Sequence, residues 1–377
     1  IIIKPFQSYY LESVRSDSPM KWTRRNLLTT AATLAVVVVA ACSQGQQSQE
    51  AGSGENATTS AGEVNLYSSR HYDSDDVIYE RFTDATGIEV NLIEGDADEL
   101  IERIKNEGSN SPADVLMTVD AGRLWRAEQE GIFQPVDSEV LNQAIPASLR
   151  HPNGLWYGLT KRARVIVYNA NEVEPAELST YEALADPKWK GRVCIRSSNN
   201  IYNQSLMGSM IEAKGVDATE DWAKGIVQNL AREPEGGDTD QIKAVAAGQC
   251  DVAIVNHYYW ARLAKSDDPA DQEVAAATEV FFPNQDGRGT HVNISGAGVV
   301  ADAPNRENAI ALLEFLVTPE AQEIFALSNN EYPVVEGVET DPVISALGNF
   351  KVDEVNVSTY GNNNSEVVKL VDRAGWK

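Results

Sequence analysis

The chain has 377 residues, 42% of them hydrophobic and 23% charged, which is enough to fold and more than one compact core usually holds, so two lobes are expected. Its formal charge of −25 repels nucleic acid and anionic lipid surfaces, which removes both as partners, and gives cationic ligands a favourable long-range field.

Residues 1–19 carry no structural period and precede the first methionine, Met20, so they read as an extension upstream of the true start. Residues 20–42 follow the pattern of an export signal: Lys21, Arg24 and Arg25 form a basic region, and the apolar run 31–41 is short for a membrane span. Arg24-Arg25 followed by Leu27-Leu28 fits a twin-arginine signal, with an ordinary secretory signal as the alternative. Val39-Ala40-Ala41-Cys42 resembles a lipoprotein cleavage box that would place a lipid on Cys42; simple cleavage nearby is the other reading. Residues 43–62, rich in Gln, Ser, Gly, Ala and Thr, form a flexible linker. The first sixty residues hold five basic and four acidic side chains, so the acidity belongs to the folded part.

From residue 63 strands and helices alternate. Residues 64–67, 88–93 and 113–119 read as strands, and 76–86, 97–107 and 121–129 as helices, the second with Leu100, Ile101 and Ile104 on one face. This βαβα order predicts an α/β fold with mostly parallel sheets. Residues 162–168 alternate as a strand leaving the first lobe, and 180–184 form a short helix. A second set follows, with strands at 192–196 and 251–255 and helices at 202–213, 219–230 and 240–247. Another helix is opened by Asn256-His257-Tyr258-Tyr259. Residues 281–300, with Gly287, Gly289, Gly296 and Gly298, read as a strand recrossing between lobes. Helices at 306–317 and 319–327 come next, the latter with Thr318 as N-cap and Pro319 at its first position. Lobe 1 then takes 63–160 plus 290–338, and lobe 2 takes 161–289 plus 339–377, the tail packing on lobe 2. Two crossing strands make a hinge, and the cleft between lobes closes on a ligand.

Cys194 and Cys250 are an even pair in an exported chain, each beside a predicted strand, and read as a disulfide, with two buried free thiols as the alternative. Zinc is disfavoured because no histidine or second cysteine stands at ligand spacing. Tyr72 ends the first strand, Tyr202 follows a second, and Tyr258-Tyr259 follow a third. Open α/β sheets place ligand groups at such carboxyl ends. One tyrosine alone is most simply a packed ring with a wet hydroxyl; four at three junctions, two of them adjacent, form a constellation. Phenolate is a hard anionic oxygen donor suited to Fe³⁺, whereas calcium wants carboxylates and carbonyls. Four phenolates around Fe³⁺ sum to −1, and Arg70, Arg162 and Arg262 are candidates to offset it. His71 is either a fifth ligand or a hydrogen-bond donor behind the ligands. No G-x-S-x-G elbow, H-E-x-x-H or P-loop occurs, and the four histidines lie far apart, so the chain does not read as an enzyme.

The strings Tyr67-Ser68-Ser69-Arg70-His71-Tyr72, Leu92-Ile93-Glu94-Gly95, Ser111-Pro112-Ala113-Asp114-Val115-Leu116, Trp189-Lys190-Gly191-Arg192-Val193, Phe282-Pro283-Asn284-Gln285 and Gly287-Arg288-Gly289-Thr290-His291-Val292-Asn293 resemble the cyanobacterial Fut/Idi ferric-binding proteins. The resemblance implies the class II periplasmic binding-protein fold and a monomer in the periplasm, free or tethered through Cys42. It also implies an inner-membrane iron ABC transporter permease and ATPase as partners. Its ligand tyrosines match Tyr72, Tyr202, Tyr258 and Tyr259, with His71 beside them. A departure is His257, where a threonine is expected before the tyrosine pair, which puts local hydrogen bonding in doubt. More distant relatives complete the metal shell with a synergistic anion, which a four-tyrosine site needs less. Two rival readings remain: a site for another cationic solute of polyamine or thiamine type, and protection of membrane complexes under iron stress.

Overall fold

The computed structural model describes residues 62–70 and 72–377. The export signal with Cys42, the linker up to residue 61, and His71 lie outside the described residues. Among those described, no helix is long and apolar enough to cross a membrane.

The first half alternates β1 (Glu63–Ser68), α1 (Asp73–Thr86), β2 (Glu89–Glu94), α2 (Ala97–Glu107), β3 (Val115–Val119) and α3 (Ala121–Gln129), then α4 (Glu139–Ala144) and the long β4 (Tyr157–Asn169). The second set holds β5 (Val193–Cys194), α5 (Ile201–Lys214), α6 (Val216–Asn229), α7 (Asp238–Ala246), β6 (Val252–Asn256), α8 (His257–Ala264), α9 (Pro269–Ala276) and β7 (Thr278–Phe281). The chain returns through β8 (Val292–Val299), α10 (Arg306–Phe315), α11 (Pro319–Asn329) and β9 (Tyr332–Pro333), and ends in α12 (Pro342–Ala346), α13 (Ser358–Asn362) and α14 (Asn364–Ala374). Local chemistry sets several boundaries. The Thr318 hydroxyl accepts the Ala321 N–H at 3.3 Å ahead of Pro319, an N-cap that satisfies an otherwise orphaned donor.

The strands lie in the order β2-β1-β3-β8-β4-β6-β5, with β7 and β9 also on β4. Pairing is parallel for β1 with β2 and β3, and for β5 with β6. The two crossing strands, β4 and β8, pair antiparallel with each other and with their neighbours, so the sheet is mixed. They run in opposite senses because one leaves the first set of elements and the other returns. Residues Tyr157 to Ala163 of β4 pair with β8, and Arg164 to Tyr168 pair with β6, so this one strand passes from one core to the next.

One hydrophobic core gathers Leu66, Leu116, Leu124, Trp156, Val299, Leu313 and Phe325. Beyond Ala163 the sheet is covered on both faces. Ile166, Tyr168, Val252 and Ile254 join Trp189, Leu206 and Trp222 on one side, while Val165, Val167, Ala253 and Val255 join Ile242 and Cys250 on the other. That split follows the two-residue period of a strand. The chain end is divided: Val357 and Tyr360 enter the first core, and Val367, Leu370 and Trp376 the second. Cys194 and Cys250 are bonded, with Cα atoms 5.8 Å apart, fastening β5 to the turn that feeds β6. α3 and α5, packed in different cores, meet at Gly122, where a Cβ would come within 2.9 Å of the Ile201 side chain.

Candidate metal centre

Each tyrosine is presented by a strand-to-helix junction. Tyr72 sits at the N-cap position of α1 after β1. Tyr202 is the second residue of α5, and its N–H is held at 3.0 Å by the Asn200 side chain that caps the helix. Tyr258 and Tyr259 lie in the first turn of α8, immediately after β6. β1 and α1 belong to the first core, whereas α5 and the strand before α8 belong to the others.

The structure brings all four side chains together. The Tyr258 and Tyr259 ring centres are 4.4 Å apart, and Tyr202 lies near enough to Tyr259 for the two phenols to act on each other electrostatically. Arg262 spans the gap between cores: its guanidinium carbon lies 5.3 Å from the Tyr72 ring centre, 5.0 Å from Tyr258 and 5.7 Å from Tyr259. Arg70 packs 4.8 Å from the Tyr72 ring and Arg162 5.9 Å from Tyr258. Beside this contact lies a cavity of about 410 Å³ lined by Tyr72, Ser74, Arg262 and residues 328–330.

The electrostatics follow from burial. Tyr258 is pushed well above the ordinary phenol range, first by burial and then by the neighbouring Tyr202 and Tyr259. Burial and Tyr202 push Tyr259 up to about 12. Both phenols are therefore neutral at pH 7 in the metal-free protein. Burial alone would weaken the charge on Arg162 and Arg262, but Glu331 and Tyr258 around the first, and Tyr72 and Tyr258 around the second, outweigh it. Arg162 is buried with its Nε and Nη1 making no hydrogen bond among the described residues. Those donors are available to a phenolate or a bound anion.

Two buried carboxylates, which the sequence reading did not single out, hold arginines around the tyrosines: Glu331 holds Arg70 and Arg162, and Asp238 holds Arg164 and Arg196. Glu331 accepts from Thr160 at 2.8 Å and from Arg70 at 3.1 Å, and pairs with Arg162 at 3.4 Å. Asp238 accepts from Arg164 at 2.6 Å, from the Asn256 backbone N–H at 2.7 Å and from Arg196 at 3.4 Å. Arg164 and Arg196 in turn lie 5.8 Å and 5.5 Å from the Tyr202 ring centre. As a string, Asp238 is an ordinary acid at a helix start and Glu331 a polar residue before a short strand, so no local signal marks either.

His257 stands edge-on to the Tyr258 ring, with ring centres 5.9 Å apart. It is fully buried, stacks on Tyr332 with ring centres 4.6 Å apart, and accepts the Ala163 N–H on Nδ1 at 3.2 Å. Burial lowers it to about 4, so it is neutral and ties the start of α8 to β4. Among the described residues no cluster of three or more His, Cys, Asp or Glu could hold a metal.

Two lobes with ligand-type side chains meeting between them define a solute-binding protein. The chain belongs to the family of bacterial extracellular solute-binding proteins, whose sequence profile matches residues 110–351. Iron uptake protein A1 of Synechocystis is 58% identical over 84% of this chain and 88% of its own length. A Trichodesmium structure described as IdiA (FutA) in complex with iron and citrate ligands shares 63% identity over 84% of this chain and all of that one, with a TM-score of 0.83. The Mannheimia haemolytica ferric iron-binding protein A, in an open conformation, shares 41% identity over 84% of this chain and 99% of that one, with a TM-score of 0.78. These relatives are carriers of iron rather than enzymes.

Proposed function

We propose that the chain binds Fe³⁺ between its lobes through the phenolate oxygens of Tyr72, Tyr202, Tyr258 and Tyr259, and delivers it to the permease and ATPase of an inner-membrane ABC transporter. The observation that carries this reading is the meeting of Tyr72, Tyr258 and Tyr259 around Arg262, with Tyr202 beside Tyr259. Fe³⁺ is hard and highly charged, and it displaces phenol protons that otherwise leave only near pH 10 or above. Four protons pass to water as four Fe–O bonds form. The resulting charge of −1 lies beside Arg162 and Arg262, which offset it in a partly buried setting. Organic cations of polyamine or thiamine type displace no protons and would face guanidiniums with the phenols still neutral, so this environment disfavours them.

The ferric-binding names of the relatives support the choice of metal, and the open conformation of one supports closure by hinge motion. Adding Fe³⁺ to chelator-stripped protein is expected to produce a visible phenolate-to-iron band, lost or much reduced in Tyr258→Phe. A colourless wild type, or a Tyr258→Phe variant that binds as tightly, would sink the assignment.

A further inference from the structure

We propose that Asp238 is the positioning residue for three of the four phenols, acting through two arginines on Tyr202 and through one backbone amide on Tyr258 and Tyr259. The inference rests on the ferric reading above. Asp238 is fully buried at the start of α7, and its two oxygens together serve two tasks. Oδ2 receives the Asn256 N–H at 2.7 Å. Asn256 occupies the N-cap position of α8, where its own side chain makes no cap; that side chain reaches the Tyr258 hydroxyl at 3.4 Å instead. The N–H held by Asp238 therefore fixes the residue from which the Tyr258-Tyr259 turn departs.

Oδ2 also receives Arg164 at 2.6 Å, and Oδ1 receives Arg196 at 3.4 Å. Arg164 is buried, so it needs a countercharge and hydrogen-bond acceptors to stay charged in place. Asp238 supplies the charge, while Asn203, the neighbour of Tyr202, accepts from Arg164 at 2.7 Å. Asn203 closes the circuit by donating to the backbone oxygens of Arg196 and Ser197 at 2.9 and 3.0 Å. Both guanidiniums are thereby held against the Tyr202 ring, which fixes where that ring stands. Groups behind metal ligands commonly act in this way, and their loss weakens binding by roughly 10–100-fold.

The sign of the effect separates positioning from charge. Taking up Fe³⁺ and losing four protons changes the charge of the site by −1, which a nearby carboxylate opposes, so an electrostatic role alone predicts tighter Fe³⁺ binding when the charge on Asp238 is removed. Positioning predicts weaker binding.

The test uses the full folded chain and Fe³⁺ supplied as ferric nitrilotriacetate, with affinity read by chelator competition and by the visible band. Asp238→Asn is expected to lose about 10–100-fold in affinity with a weaker band. In a Tyr202→Phe background the same change is expected to cost at least threefold less, because one of its two arms has nothing left to place. Arg196→Gln should act in the same direction and couple to Tyr202 alone; its cycle with Tyr202→Phe decides the matter if Asp238→Asn melts as an unfolded chain. Unchanged or tighter binding by Asp238→Asn, or penalties that simply multiply in the double variants, overturns the proposal while leaving the ferric reading intact. A wild type that takes up no Fe³⁺ overturns both.

Discussion

Replacing Glu331 by Gln tests the framework without touching a proposed ligand. Glu331, Arg70 and Arg162 are all buried, and the carboxylate accepts from Thr160 and Arg70 at 2.8 and 3.1 Å and forms an ion pair with Arg162 at 3.4 Å. Arg70 keeps Asp75 as a second partner at 2.7 Å, whereas among the described residues Arg162 keeps only the hydrogen bond to the Ser295 hydroxyl. The variant thus strands one guanidinium in the interior, and breaking a buried pair in this way costs about 3–5 kcal/mol. At roughly 2–4 °C per kcal/mol for a domain of this order, the melting temperature should fall by about 6–20 °C. The pH dependence carries a second signature. Burial pushes the Glu331 carboxyl up, but Arg70 and Arg162 outweigh it and hold it below the usual carboxylate range. A group whose folded value is depressed contributes stability above its unfolded value, near pH 4.3, and loses it as the pH falls through the folded value. The gap between wild type and variant should therefore be constant from pH 7 to about pH 5 and close in stronger acid. A melting temperature within 2 °C of wild type across that range would refute the reasoning.

Tyr72 stands on elements of the first core and its three partners on elements of the others, so Tyr72→Phe is expected to speed iron release more than it slows capture. The pair Tyr258→Phe/Tyr259→Phe should abolish capture; stopped-flow binding and chelator-driven release distinguish the two, and equal damage to both steps by both variants counts against the division. Iron affinity should drop steeply on acidification, because protons compete for phenolates that are neutral at pH 7 when free; equilibrium dialysis from pH 8 to pH 5 checks it, and a flat profile contradicts phenolate ligation. Cys194→Ala/Cys250→Ala opens a loop with a sequence separation of 56, which corresponds to about 4 kcal/mol in the chain-entropy description. Urea unfolding is expected to show a lower midpoint with an intact ferric band in the folded protein.

The elements that present the site were readable because their signals are local. Alternation at 64–67 and 251–255, the helical period after each strand, and the Thr318-Pro319 cap act within a few residues, and all appear as helices or strands at nearly those places. The strand expected at 192–196 is shorter, ending at Cys194, since Arg196 leaves the sheet to reach Asp238. The crossing strands were foreseeable as crossings, but their antiparallel pairing was not. Register between β4 and β8 joins residues 129 to 140 positions apart, and alternation within one strand does not name its partner.

By itself the sequence determined that the chain folds as α/β in two lobes, that its acidity lies in the folded part, and that phenols stand at three strand-to-helix junctions. Composition and short-range period suffice for these, because burial and backbone hydrogen bonding act residue by residue. Only the tertiary structure decided that the four phenols meet and that Arg262 bridges them. It also decided that Glu331 and Asp238 hold the surrounding arginines, and that His257 serves the sheet. Those facts depend on pairs separated by as many as 261 residues, whose approach is set by how the cores pack.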